Sequence, residues 1–142
     1  MARIAAIDFG LKRIGIALSD INQKLALPFE TVEGGEKAIS NVIAALAKKK
    51  GEIEKILVGL PLLLSGKKGD MAIAAEKFAK ELQIAIDIPV ELWDERFSSK
   101  IADRSMKELS IHRKKRARQM DTASAALLLQ SYLDKNAISR YR

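Results

Sequence analysis

The chain has 142 residues, 48% of them hydrophobic, with a net charge of +7, which suits one domain built around one buried core. It contains no cysteine, which excludes disulfides, zinc–thiolate sites and thiol catalysis, and no apolar run approaches the ~18 residues of a membrane-spanning helix. A strand pattern begins almost at the first residue, so no signal peptide is expected and a cytoplasmic location fits.

Arg3 to Asp8 is a short, nearly all-apolar run, as expected of a strand covered on both faces. Arg13 to Ser19 sets Ile14, Ile16 and Leu18 against small residues and reads as a second strand. Phe9 to Lys12, with Gly10, supplies a hairpin connection between them. Leu25 to Val32 is a weaker third strand, and Pro28 assigns it to a sheet edge. Glu36 to Lys50 carries Ile39, Val42, Ile43 and Leu46 at helical spacing and stops at Gly51. Ile53 to Val58 is the next strand, running into Gly59-Leu60-Pro61. A helix capped by Asp70 extends to about Ile86. Val90 to Trp93 is a short strand leading into Asp94-Glu95-Arg96. Ser98 or Ser99 then caps a helix to about Leu109, and a last helix covers roughly Ala117 to Asn136. A hairpin meander followed by crossover helices predicts one α/β domain over 1–142, a mixed sheet with helices packed on its faces.

Three acidic positions are directed inward by these patterns. Asp8 ends the first strand, where an unpaired buried carboxylate costs several kcal/mol unless a cation offsets it. Asp94 and Glu95 end the last strand on opposite faces, and alternation alone does not choose between them. Asp121 shares its face of the final helix with Ala117, Ser124 or Ala125, Leu128 and Tyr132, an otherwise apolar stripe that directs it toward the sheet. The competing reading makes Asp121 a first-turn residue interacting with the helix dipole.

Oxygen ligands without cysteine, and with one histidine in the chain, favour Mg²⁺ or Mn²⁺ over zinc. Two such ions about 3.5–4 Å apart support phosphodiester cleavage. The positive excess is densest in 111–118, where Arg113, Lys114, Lys115, Arg116 and Arg118 make five basic residues in eight and favour a polyanionic partner. Lys12 and Arg13, beside the hairpin turn, are candidate phosphate contacts, and Arg96 is a candidate contact or an ion-pair partner for its acidic neighbours. Trp93 reads either as a base-stacking platform or as packing, and His112 as a surface residue.

Asp8-Phe-Gly-Leu-Lys-Arg-Ile-Gly-Ile-Ala-Leu-Ser-Asp20, Gly59-Leu-Pro-Leu62, Asp94-Glu-Arg-Phe-Ser-Ser99 and Asp121-Thr-Ala-Ser-Ala-Ala with Leu129-Gln-Ser-Tyr-Leu133 also form a signature. Together they resemble the YqgF (RuvX) family, the Holliday-junction-resolvase-like branch of the RNase H-like superfamily. The resemblance implies an RNase H-like fold, a five-stranded mixed sheet with helices on both faces. It implies a cytoplasmic, divalent-metal-dependent nuclease in which Asp8, Glu95 and Asp121 form the metal-binding triad, with Asp94 as a neighbour. It implies processing of the 5′ end of precursor 16S rRNA in ribosome biogenesis. The alternatives are resolution of four-way DNA junctions and a non-catalytic role as an RNA-binding ribosome-assembly factor. The expected partner is structured RNA or branched DNA, with no membrane, and the protein is expected to be a monomer or weak homodimer. Leu63-Leu64-Ser65-Gly66 departs from the family, many of whose members place an Asn-containing turn and Asp-Gly there. Asp20 matches the family and reads as a cap on the turn before the third strand.

Overall fold

The computed structural model describes residues 2–63, 65–95 and 113–140, with side chains in the last segment described for 121–137. Strands β1 (Arg3–Asp8), β2 (Arg13–Ser19), β3 (Ala26–Glu33), β4 (Ile53–Leu60) and β5 (Val90–Asp94) form one five-stranded sheet in the order β3-β2-β1-β4-β5. β1–β2 and β2–β3 are antiparallel, whereas β1–β4 and β4–β5 are parallel, so the sheet is mixed. The predicted strands are thus all present. β3 is an edge strand, where Pro28 lacks only a donor that no neighbour needs.

The crossovers are helices, as parallel neighbours require. A 3₁₀ turn at Gly35–Lys37 precedes α1 (Ala38–Ala47), so the α-helix is shorter than the predicted 36–50 span at both ends. α2 (Asp70–Ala85) joins β4 to β5. The last helix, α3 (Arg113–Arg140), begins earlier and ends later than the predicted 117–136. The helix predicted from Ser98 or Ser99 to Leu109 lies outside the described residues.

Two cores sit on the two faces of the sheet. On one, Ile7, Ile14, Ile16, Ile56 and Val58 pack against Val42 and Leu46 of α1 and Phe78 and Leu82 of α2. On the other, Ile4, Ala6, Ala17 and Leu57 pack against Ala125, Leu128, Leu129, Tyr132 and Leu133 of α3. The sheet residues facing α3 are smaller, and small residues let a helix lie close. Gln130 ties α3 to the sheet edge, accepting from the Ala26 amide at 2.9 Å and donating to the Lys24 carbonyl at 2.9 Å.

Candidate active site

Alternation along the strands decides which carboxylates meet. Ile4 and Ala6 face α3, so Asp8, next on that side, reaches the same face at the C-terminal end of β1. Leu57 faces α3 on the parallel neighbour β4, and Gly59 follows it. Trp93 faces α3 on β5, so Glu95 belongs to this side and Asp94 to the side of Val90. Asp94 is exposed whereas Glu95 is partly buried. The choice that alternation left open falls to Glu95 once the faces are known.

Asp121 comes to the same place from above. It begins the α3 stripe that continues through Ala125, Leu128 and Tyr132 into the core. Because α3 starts at Arg113, Asp121 lies more than two turns inside the helix, beyond the reach of the terminal dipole. The first-turn reading of this residue therefore fails. What seats Asp121 is Gly15, the register partner of Asp8. A Cβ at Gly15 would overlap the Asp121 backbone carbonyl and stand 3.1 Å from its Cα. Gly59 performs a related service for Glu95: a Cβ there would overlap Glu95 Oε2 and stand 3.2 Å from Leu128 Cδ2. Two glycines, one on each strand flanking β1, thus make room for two carboxylates beside a third.

The electrostatics follow from this crowding. Asp8 is pushed up from 3.8 to about 8, by burial first and then by the nearby charges of Glu95 and Asp121. Glu95 rises from 4.5 to about 7, through burial first and the Asp94 charge second. Asp121 is held by Arg13, whose Nε donates to Oδ2 at 3.0 Å. Near neutrality such a cluster holds either protons or a cation. Its all-oxygen donor set suits a hard divalent ion. Among the described residues no three Asp, Glu, His or Cys side chains are closed up into a ready-made metal cage. The arrangement is open, with Asp121 turned to its arginine.

The remaining candidates separate. Asp20 caps the β2–β3 turn, its Oδ1 accepting from the Lys24 and Leu25 amides at 2.7 and 2.9 Å. Those amide bonds hold its carboxyl below the usual range, that of Leu25 foremost. Trp93 is packing: its Nε1 donates to Ser131 Oγ at 3.1 Å, its ring meets Tyr132 edge-on at 5.1 Å, and Lys135 Nζ lies 5.3 Å from the ring centre. Lys12 is exposed beside Arg13. Arg113, Lys114, Lys115, Arg116 and Arg118 occupy the first two turns of α3, on the helix that carries Asp121. Arg96 and His112 lie outside the described residues. Sequence reasoning missed the roles of Gly15 and Gly59. The available signal was that each occupies an α3-facing position where a strand ordinarily carries a side chain.

The architecture defines a class, the RNase H-like fold. The fowlpox virus resolvase, solved with Holliday junction DNA, superposes with a TM-score of 0.58 over 94% of this chain and 98% of its own, at 14% identity. RuvC of T. thermophilus, solved with a Holliday junction substrate, does so at 0.51 over 90% and 92%, at 15% identity. Within that class the chain belongs to the RuvX family, described as Holliday junction resolvase, whose model matches residues 2–135. A relative from Protochlamydia amoebophila, named "Putative pre-16S rRNA nuclease", is 44% identical, covering 94% of this chain and 93% of its own. One of the same name from Syntrophomonas wolfei is 38% identical, covering 97% and 98%.

Proposed function

We propose that the protein is a divalent-metal-dependent endonuclease that hydrolyses phosphodiester bonds in structured nucleic acid, and that its substrate is the 5′ region of precursor 16S rRNA. Chain 1–142 acts in this reading as one cytoplasmic RNase H-like domain. The observation that carries it is the convergence of Asp8, Glu95 and Asp121 at the end of β1, with Asp8 and Glu95 pushed up to about 8 and 7. The name shared by the full-length relatives supports the rRNA substrate.

Asp8, Glu95 and Asp121 would hold Mg²⁺ or Mn²⁺, which when bound supplies activation of water and stabilisation of the leaving oxygen. The protein's own contribution is placement. Asp8 sits on a central strand with buried neighbours on both sides, so its position is fixed to the precision of the core. Gly59 lets the Glu95 carboxylate lie against the sheet, and Gly15 lets α3 bring Asp121 down to it. Asp94 acts as an outer charge that keeps Glu95 basic. Arg113, Lys114, Lys115, Arg116 and Arg118, with Lys12, Arg13 and Arg96, hold the substrate backbone, the α3 cations lying within the two or so turns that precede Asp121 on the same helix.

The test is a cleavage assay offering precursor 16S rRNA and a four-way DNA junction side by side, with Mg²⁺ or Mn²⁺. Asp8→Asn, Glu95→Gln and Asp121→Asn should each lower the rRNA cleavage rate by about 10²-fold or more while preserving the fold. Cleavage of the junction alone would reassign the substrate to branched DNA. Metal-independent binding without cutting would reduce the protein to an RNA-binding assembly factor.

A further inference from the structure

Arg13 and Gly15 are two residues apart on β2 and share the face covered by α3. The Asp121 backbone rests on Gly15, and its carboxylate reaches back along the strand to Arg13, where Nε donates to Oδ2 at 3.0 Å. The two partners differ in freedom. Asp121 is 22% exposed and belongs to a helix locked into the core, whereas the Arg13 side chain is 46% exposed at the start of its strand. A guanidinium at such a rim position can leave by side-chain rotation alone, and a partly exposed ion pair is a weak tether. The same guanidinium, once free, presents a planar fork that matches a phosphate.

We propose that Arg13 is an exchange residue: its guanidinium occupies Asp121 until a divalent cation takes that carboxylate, and then turns to the phosphate of the bound nucleic acid. The proposal rests on the metal-nuclease reading above and adds an order of events to it. Arg13 is a positioning residue before the cation arrives and a substrate contact afterwards. The exchange explains why the acids are gathered yet form no closed cage among the described residues.

A merely structural arginine would weaken metal binding when removed, and the exchange predicts the opposite sign. Mn²⁺ is titrated calorimetrically into the full chain without nucleic acid. Arg13→Gln should bind Mn²⁺ about tenfold tighter than the parent, and Arg13→Lys, which keeps a charge but loses the Nε–H contact, about two- to threefold tighter. Lys12→Gln, which removes the same charge one residue earlier, should change affinity by less than about twofold. The gain from Arg13→Gln should vanish in the Asp121→Asn background, since the competition is for that carboxylate. In cleavage, Arg13→Gln should raise KM for the nucleic acid severalfold. Arg13→Gln and Arg13→Lys binding Mn²⁺ no tighter than the parent, or a gain that survives Asp121→Asn, overturns the exchange while the nuclease reading stands. Parent protein with no Asp8-dependent Mn²⁺ binding overturns both.

Discussion

Gly15 lies directly beneath the backbone carbonyl of Asp121, so that α3 approaches β2 as closely as a side-chain-free position permits. The obstacle to any Cβ there is backbone, the Asp121 carbonyl and Cα, which cannot rotate away. Relief requires moving α3, the helix that supplies Leu128, Leu129 and Leu133 to the core. Gly15→Ala should therefore cost about 2–3 kcal/mol, at the upper end of overpacking, and lower cleavage with it. Urea unfolding read by circular dichroism measures the first effect, and the rRNA assay the second.

Gly59→Ala separates the two consequences. Its nearest obstacle is the far end of the Glu95 side chain, which can swing aside. Stability should fall by less than about 1 kcal/mol, yet cleavage should drop about 10²-fold because a carboxylate is displaced from the site. The ratio of activity loss to stability loss should thus be far larger for Gly59→Ala than for Gly15→Ala.

The raised Asp8 carboxyl has a signed effect on stability. Between its ordinary value of 3.8 and about 8, the folded protein retains a proton on Asp8 that the unfolded chain has released. Stability contributed by this group therefore declines as pH rises through that window and levels off above it. Asp8→Asn removes the dependence, so in metal-free buffer its stability relative to the parent should increase by at least ~2 kcal/mol from pH 5 to pH 8. Mg²⁺ or Mn²⁺ should raise the melting temperature of the parent more at pH 8 than at pH 6, because at the lower pH protons compete for the same oxygens.

Trp93→Ala should act on the fold and not on recognition. The indole is held by Ser131 and the edge of Tyr132, and the Tyr132 hydroxyl accepts from Lys55 Nζ at 2.8 Å. Truncation should cost about 2–4 kcal/mol while leaving RNA affinity within about twofold at a temperature where the variant is folded. A fluorescence-anisotropy titration beside a thermal melt distinguishes this from base stacking, which would weaken binding without lowering the melt.

Neutralising Arg113, Lys114, Lys115 and Arg116 together should flatten the salt dependence of nucleic-acid binding. If each meets one phosphate of a duplex, the slope of log affinity against log salt should fall by about 3 to 4. Filter binding over a salt series measures it.

Local sequence determined a good deal. Residue type and period alone determine the five strands, the edge position of β3 and the Asp20 cap, because each depends on alternation, a missing donor or a short-range hydrogen bond. The apolar stripe below Asp121 likewise stated which way that helix faces. Tertiary structure decided between Asp94 and Glu95, since a strand's alternation names two faces without saying which one α3 covers. It also revealed Gly15 and Gly59 as seats for Asp121 and Glu95, and Arg13 as the partner of a carboxylate 108 positions away. Such contacts join residues whose spacing along the chain carries no period. They exist only once the sheet and α3 have closed upon each other.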